Sequence, residues 1–212
     1  MRLIKRRDFL KLLIASTSLL VIGRLSAQEY SNFQHAQNGL TSFGAWYVVQ
    51  YSNVVPDIVT KNYMLTVDGE VENPLTLTYD DIIKMPSVKV KDTIQCVSDP
   101  LFLKANVVWT GVPLKYIIDM VKPKPNVIKV VSYGAEGYIA DLPIEKAMEP
   151  NVLIAYEVDG QPLPRVHGYP VRLAVPGWWG YTYTKWLVRL HFTSKNVLGY
   201  WESRGYPDDA KK

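Results

Sequence analysis

The residue with the most chemistry to offer is Cys96, the only cysteine among 212 residues. It lies in the stretch Ile94–Pro100, whose sequence is IQCVSDP. A lone thiol cannot form an internal disulfide, so Cys96 is a buried small hydrophobe, an intermolecular partner, or a ligand or nucleophile. Taken by itself, a single cysteine favours the buried interpretation.

The elements around Cys96 are predicted to be short strands interspersed with short helices. Period-two alternation and turn residues predict strands over 63–69, 88–95, 127–132, 137–142, 151–158, 171–175 and 186–193. Helices are predicted over 79–84, 114–121 and 143–148, and residues 107–113 are expected to lead into the second of them. Cys96 follows a strand end, where scaffolds often place chemistry. Without regular βαβ repeats, the pattern predicts a mixed α+β domain.

The formal net charge of +4 belongs to the first 27 residues. Six of the 24 Lys and Arg residues lie there, with one of the 20 Asp and Glu residues, so the remaining chain has a net charge of −1. No basic patch interleaved with aromatic residues is found, and we therefore expect no nucleic-acid partner.

The first 27 residues have the layout of an export signal. The basic segment Lys5–Lys11 precedes the apolar run Leu12–Gly23, which is shorter than the ~20 residues needed to span a bilayer. The order Arg-Arg-x-Phe-Leu-Lys is similar to a twin-arginine signal, which implies export of a folded protein to the periplasm or the outer face of the cell membrane. The signal is either cleaved or kept as a membrane tether. We expect a signal over 1–27, an irregular surface lead-in over 28–54 and one domain over 55–212.

Four motifs resemble the molybdopterin-binding domain of the sulfite oxidase family. The similarity is greatest to the single-domain exported catalytic subunits of periplasmic methionine sulfoxide reductases, and it covers roughly residues 55–206. Cys96 stands at the expected place upstream of these motifs. The motifs are WTGVPL (109–114), LIAYEVDGQPLP (153–164), HGYPVRLAVP (167–176) and GWWGYTYTKW (177–186).

The resemblance implies a molybdenum ion held by the pterin dithiolene and by the Cys96 thiolate, because a soft thiolate suits this metal. His167 and Arg172 match positions that bind the pterin and its phosphate. Each also has a plain structural interpretation, as a hydrogen-bonded turn histidine and an outward strand residue. Further cofactor-binding positions match Gln50, Tyr51, Glu136, Tyr183, Thr184 and Lys185. For Glu136, a solvated turn carboxylate is an equal alternative.

Tyr206 lies five residues after Trp201, the spacing of an active-site tyrosine in sulfite oxidases. The resemblance implies that its phenol hydrogen-bonds a metal ligand or relays a proton. The alternative is a frayed aromatic residue near the end of the sequence.

Two departures from the sulfite oxidase pattern bear on the substrate. Gln50 and Pro100 align with arginines that face the sulfite dianion in those enzymes, so a neutral sulfoxide or N-oxide is favoured. The loop Pro176–Tyr181 is rich in Gly and aromatic residues, and we expect Trp178, Trp179 and Tyr181 to wall the pocket.

The predicted function is therefore an exported molybdenum-cofactor oxidoreductase that transfers oxygen atoms with two electrons. We expect it to reduce a sulfoxide or N-oxide, with protein methionine sulfoxide among the candidates. A membrane haem or quinone protein, or a small cytochrome, would exchange the electrons. The alternatives are a sulfite oxidase or dehydrogenase with an altered anion pocket, and a non-catalytic envelope binding module on the same fold.

Overall fold

The computed structural model describes residues 39–212. The predicted signal, and residues 28–38 of the predicted lead-in, lie outside the described residues. Within residues 39–212 no helix is long and apolar enough to cross a membrane. The strands are β1 (Met64–Gly69), β2 (Leu75–Thr78), β3 (Val88–Gln95), β4 (Lys104–Pro113), β5 (Lys129–Gly134), β6 (Ile139–Pro143), β7 (Leu153–Val158), β8 (Gln161–Pro162), β9 (Arg172–Ala174) and β10 (Leu187–Thr193). The α-helices are α1 (Tyr79–Lys84), α2 (Leu114–Val121) and α3 (Ile144–Ala147).

The ten strands form two five-stranded sheets. In the first the order is β2-β1-β10-β5-β6, and in the second β3-β4-β7-β8 with β9 also paired to β7. Strands β1 and β10 run parallel, whereas their other neighbours run antiparallel. The predicted mixed α+β class is therefore confirmed, and the first sheet is a mixed one.

The helices form where local sequence signals favour them. At α1, the Thr78 hydroxyl accepts the Asp81 N–H and the Asp81 carboxylate accepts the Thr78 N–H, which completes a capping box. Helix α2 buries the apolar stripe Leu114, Ile117, Ile118 and Val121 as its periodicity predicted.

The sequence interpretation missed three strands, of which β4 is the longest. Gly111 and Pro113 look like strand breakers, but β4 tolerates them because its register against β7 shifts between Thr110 and Gly111. Trp109 precedes that irregularity and is fully buried. This strand places the WTGVPL motif in the core instead of in a turn.

Residues 40–59 contain no helix or strand, as expected for the lead-in. The expectation that this segment lies on the surface is wrong at Trp46, which is only 4% exposed. Its indole packs edge-on against Trp109 with 5.5 Å between ring centroids. Burial of this large ring ties the lead-in to the domain core.

The close approach at Gly111 gives a stability prediction. A Cβ on this residue would lie 2.4 Å from the Ile154 carbonyl oxygen, so Gly111→Ala must separate β4 from β7. We expect the free energy of unfolding to fall by about 2 kcal/mol or more, measured by urea denaturation. Gly44→Ala is the control, because a Cβ there meets nothing within 4 Å. Equal stability of the two variants would contradict this packing.

Candidate active site

A cavity of about 350 Å³ is lined by five separate segments of the chain. This volume lies within the range typical of small-molecule sites. The segments are 46–51, 94–98, 136–138, 167–185 and 201–206.

Nine of the ten predicted site residues line this one cavity. Thr184 is the exception: its side chain is fully buried and its hydroxyl lies 2.7 Å from the Ser132 hydroxyl. Those in the cavity wall are Gln50, Tyr51, Cys96, Glu136, His167, Arg172, Tyr183, Lys185 and Tyr206.

Cys96 stands directly after β3, at the start of a loop that two backbone hydrogen bonds close. Its N–H donates to the Leu103 carbonyl oxygen, and the Asp99 carbonyl accepts the Leu103 N–H, both at 2.9 Å. The thiol is partly exposed to the cavity and lies 3.0 Å from the Ser98 hydroxyl. If Cys96 is a thiolate, Ser98 can donate to its sulfur and orient it.

The His167 ring is neutral and is held parallel to the Trp46 indole. It stacks on Trp46 with centroids 3.8 Å apart and planes only 6° from parallel. Burial, followed by the charges of Arg172 and Lys185, lowers the pKa of His167 to about 3. Neither ring nitrogen has a hydrogen-bond partner among residues 39–212, so the neutral imidazole offers one donor and one acceptor to a ligand.

Arg172, the first residue of β9, is a buried cation without a carboxylate partner in the described part of the chain. Its guanidinium donates to the carbonyls of His167 at 2.8 Å and Tyr183 at 3.2 Å. It lies 4.9 Å from the centroid of Trp109. Burial lowers the pKa of Arg172 to about 10, so it stays charged at neutral pH. The turn before it needs Gly168, whose φ is +107° and whose added Cβ would lie 3.1 Å from the Arg172 Cβ.

Lys185 is the second cation of the cavity wall. Its ammonium donates to the carbonyls of Val49 and Val166, both at 3.1 Å, and so ties the lead-in to the turn before His167. Burial, followed by the nearby Arg172 charge, lowers the pKa of Lys185 to about 7. No described carboxylate forms an ion pair with it. Two adjacent cations without anionic partners make this part of the cavity an anion site.

Tyr183 is positioned by a buried carboxylate that the sequence interpretation overlooked. Asp92 points inward from β3 and accepts the Tyr183 hydroxyl at 2.7 Å and the Trp109 indole N–H at 3.2 Å. The inward alternation of Asp92 with Ile94 is the sequence signal that could have found it.

The aromatic wall differs in part from the one expected. Tyr181 lines the cavity as predicted, but Trp178 and Trp179 do not. Trp178 is buried elsewhere, with the Lys146 ammonium 5.5 Å from its ring centroid. A Gly-rich loop has no regular periodicity, so its sequence does not indicate which aromatic side chains point into the cavity. This explains the error.

Nine further residues line the cavity and were not predicted to do so. Four of them are Val49, Ile94, Val97 and Gly180, and the other five have aromatic or hydroxyl side chains. Among these five, Ser98 follows Cys96 and Tyr138 follows Glu136 by two positions each, and Trp201 precedes Tyr206 by five. The remaining two form the adjacent Trp46-Tyr47 pair, whose place close to Gln50 is the signal that could have identified them. These five residues are Trp46, Tyr47, Ser98, Tyr138 and Trp201.

The cavity fits the cofactor implied by the sequence. Gln50 and Glu136 each bury one side-chain oxygen that has no hydrogen-bond partner among residues 39–212. Such orphaned acceptors suit the N–H groups of a pterin, because an unpaired buried acceptor is costly. The Arg172 and Lys185 cations suit its phosphate, and the Cys96 thiol supplies a soft ligand. The three chemistries required by a metal-bound pterin phosphate therefore meet in one cavity.

The partial charge of Lys185 makes anion binding depend on pH. Because its pKa is about 7, we expect the affinity of the cofactor-free protein for sulfate to rise about tenfold from pH 8 to pH 6. Sulfate keeps its own charge across this range, and calorimetric titration measures the binding. Lys185→Met should weaken binding and remove the pH dependence, whereas Lys91→Met, on an exposed part of β3, should change neither. An unchanged pH dependence in Lys185→Met would contradict the assignment.

Comparison with known proteins agrees with the cofactor that the sequence implies. The family described as oxidoreductase molybdopterin binding domain matches residues 52–201. The uncharacterised oxidoreductase YuiH of Bacillus subtilis is 32% identical over 80% of this chain and 83% of its own. Rat mitochondrial sulfite oxidase is 31% identical over 72% of this chain, which spans only 33% of that enzyme.

Two further matches extend the comparison. The protein-methionine-sulfoxide reductase catalytic subunit MsrP of Campylobacter jejuni is 29% identical over 68% of this chain and 53% of its own length. The crystal structure of the sulfane dehydrogenase SoxCD from Paracoccus pantotrophus superposes with a TM-score of 0.71 and 26% identity, over 75% of this chain and 45% of that chain. The chain therefore belongs to the molybdopterin-binding oxidoreductase family that includes the sulfite oxidases, and it is an enzyme with a molybdenum–molybdopterin cofactor.

Proposed function

We propose that this enzyme reduces a neutral oxide, either a sulfoxide or an N-oxide, with protein methionine sulfoxide among its substrates. The reaction takes up two electrons and two protons, converts a sulfoxide to a thioether, and releases the oxygen as water. When bound, the molybdenum centre would accept the oxygen atom of the substrate and supply the two electrons of the reduction. The likeness to MsrP supports this choice of substrate.

The observation that carries the proposal is the charge of the cavity wall. Arg172 and Lys185 are its only Arg or Lys residues in the described chain, and their cations suit the cofactor phosphate. The two positions aligned with sulfite-binding arginines are Gln50, which lines the cavity, and Pro100, in the loop after Cys96. A dianion would find no further cation there, whereas a neutral oxide needs only hydrogen-bond donors.

In this proposal, four residues of the cavity wall have roles in binding the cofactor or the substrate. Cys96 would ligate the metal, with the Ser98 hydroxyl as donor to its sulfur. The neutral His167 ring would hydrogen-bond the pterin from its stack on Trp46. Tyr206 would donate a hydrogen bond to the substrate oxygen and deliver a proton to it.

Tyr206 is well placed for this role because it is packed in the cavity wall. Its ring lies 5.0 Å from Trp201 and 5.4 Å from Tyr181, centroid to centroid. Its N–H donates to the Trp201 carbonyl oxygen at 3.2 Å. These contacts argue against the alternative of a frayed aromatic residue.

We also propose that the enzyme is exported by the twin-arginine route and acts in the periplasm or at the outer face of the cell membrane. The support is the sequence Lys5–Lys11 and the apolar run after it. A membrane haem or quinone protein, or a small cytochrome, would deliver the electrons. The name of MsrP as a catalytic subunit supports the need for such a partner.

Sulfite oxidation is the second candidate, because rat sulfite oxidase is 31% identical to this chain over the matched region. The test is turnover by holoenzyme purified from its native envelope, with molybdenum and pterin content measured on the same sample. Reduced viologen dye with sulfoxides and N-oxides, and sulfite with an oxidised acceptor, cover the two directions. Sulfoxide or N-oxide reduction is expected. Turnover of sulfite alone would replace the proposal with the second candidate.

Cys96→Ser tests the metal ligand. We expect viologen-driven turnover to fall below about 1% of wild type, since the variant replaces a thiolate donor with a hydroxyl that stays protonated at neutral pH. X-ray absorption at the molybdenum edge should show one sulfur neighbour fewer. Ser98→Ala is the matched control, since it should keep the sulfur ligand. Full activity of Cys96→Ser would exclude the proposed ligation.

Tyr206→Phe tests proton delivery. We expect kcat to fall about a hundredfold, the size of a lost general acid, with the molybdenum content unchanged. Tyr116→Phe, an exposed residue of α2, is the control and should keep full activity. A kcat equal to wild type in Tyr206→Phe would assign proton delivery to another group.

A further inference from the structure

Glu202 is a buried acid that the proposed reaction does not use. It opens the 3-10 turn Glu202–Arg204 and is only 5% exposed. Neither carboxyl oxygen has a hydrogen-bond partner among residues 39–212. A buried carboxylate without partners is costly, whereas the neutral acid costs much less.

The turn that contains Glu202 carries two residues of the cavity wall. Trp201 precedes it and Tyr206 follows it, and the Arg204 N–H donates to the Trp201 carbonyl at 2.9 Å. Gly205, with φ +94°, lets the chain reverse between them. The placement of both aromatic rings therefore depends on how this turn packs.

The Glu202 carboxyl packs against Gly199, which itself lies against Ala140 of β6. A Cβ on Gly199 would lie 2.4 Å from the Glu202 Oε2 atom and 2.9 Å from the Ala140 Cα, so the acid fills the space between the turn and β6. The Gly199 N–H donates to the neighbouring Asp141 carboxylate at 2.7 Å. Adding charge to Glu202 would therefore act at the contact between this turn and the sheet.

The charged groups around Glu202 favour its neutral form. Asp141 and Asp208 share one cation, Lys129, at 2.6 and 2.8 Å, so a third carboxylate would be in excess. Burial, followed by the charge of Asp141 and that of Asp208, raises the pKa of Glu202 to about 7. The cavity tyrosines Tyr138 and Tyr181 face the same region, and their pKa values are raised by burial and then by the Glu202 charge.

We propose that Glu202 is a positioning residue, which in its uncharged form holds Trp201 and Tyr206 in the cavity wall and in its charged form releases them. The inference rests on the proposed function only in that it takes this cavity as the active site. The enzyme would thus lose its ordered wall as the medium becomes alkaline.

The direction of the pH effect follows from linkage. The pKa of Glu202 is raised in the packed turn, so packing is most stable below the ordinary pKa of a glutamate and weakens up to about pH 7. With the ordinary value of 4.5 in the open turn, opening becomes about tenfold more frequent from pH 6 to pH 8.

Hydrogen exchange of the purified holoenzyme, followed by mass spectrometry over residues 199–208 and corrected for intrinsic rates, measures this opening without catalysis. We expect about tenfold lower protection at pH 8 than at pH 6 in wild type. Glu202→Gln, which is uncharged at both pH values, should show no such loss. Glu149→Gln, a half-exposed acid outside the cavity wall, should behave as wild type.

A second measurement links the turn to turnover. The kcat of wild type should fall from pH 6 to pH 8, and that of Glu202→Gln should fall less, because only wild type gains open molecules in which Tyr206 has left the cavity wall. Protection that does not change with pH in wild type, or that falls equally in Glu202→Gln, would overturn the inference. Because exchange needs no substrate, this outcome is separate from a failure of the proposed reaction.

Discussion

The fold around the cavity depends on the burial of one guanidinium. Arg172 is enclosed by Trp46, Trp109 and Tyr183, and its donors are satisfied by backbone carbonyls instead of carboxylates. Aromatic faces and carbonyl dipoles stabilise the charge but do not neutralise it. The net positive charge is therefore retained for a bound anion, while the same contacts join the lead-in, β4 and the segment after β9.

The need to keep the Arg172 charge unpaired also accounts for the position of Asp92 in the second sheet. Asp92 faces inward from β3 and accepts hydrogen bonds from Trp109 and Tyr183, two of the rings around Arg172. The Asp92 carboxylate thus orients Trp109 and Tyr183, and these two rings in turn contact the Arg172 guanidinium. A direct ion pair would satisfy Arg172 and leave less charge to attract a phosphate.

Much of this architecture could be predicted from sequence, and the failures have identifiable causes. Helix α2 and strand β3 followed from periodicity, and the site residues followed from motifs that a resemblance had made meaningful. Strand β4 was missed because Gly111 is a breaker by propensity but is required here by the close approach of β7. Trp178 was misplaced because loop sequence does not specify side-chain direction. Asp92 was overlooked although its alternation with Ile94 places it on the inward face of β3. Glu202 was overlooked because only tertiary packing distinguishes this buried acid from a surface one.

The residues that line the cavity are far apart in sequence, and this affects how fast the cavity can form during folding. The wall combines residues near position 46 with residues near position 206, so it exists only after nearly all long-range contacts have formed. Assembly of such distant segments is slow, since chain closure costs entropy before the contacts offset it. A cofactor that binds only the completed wall stabilises it by mass action and does not bind partly folded chains. Cofactor retention thus reports that folding has finished, which is the condition that the proposed export of a folded protein would impose.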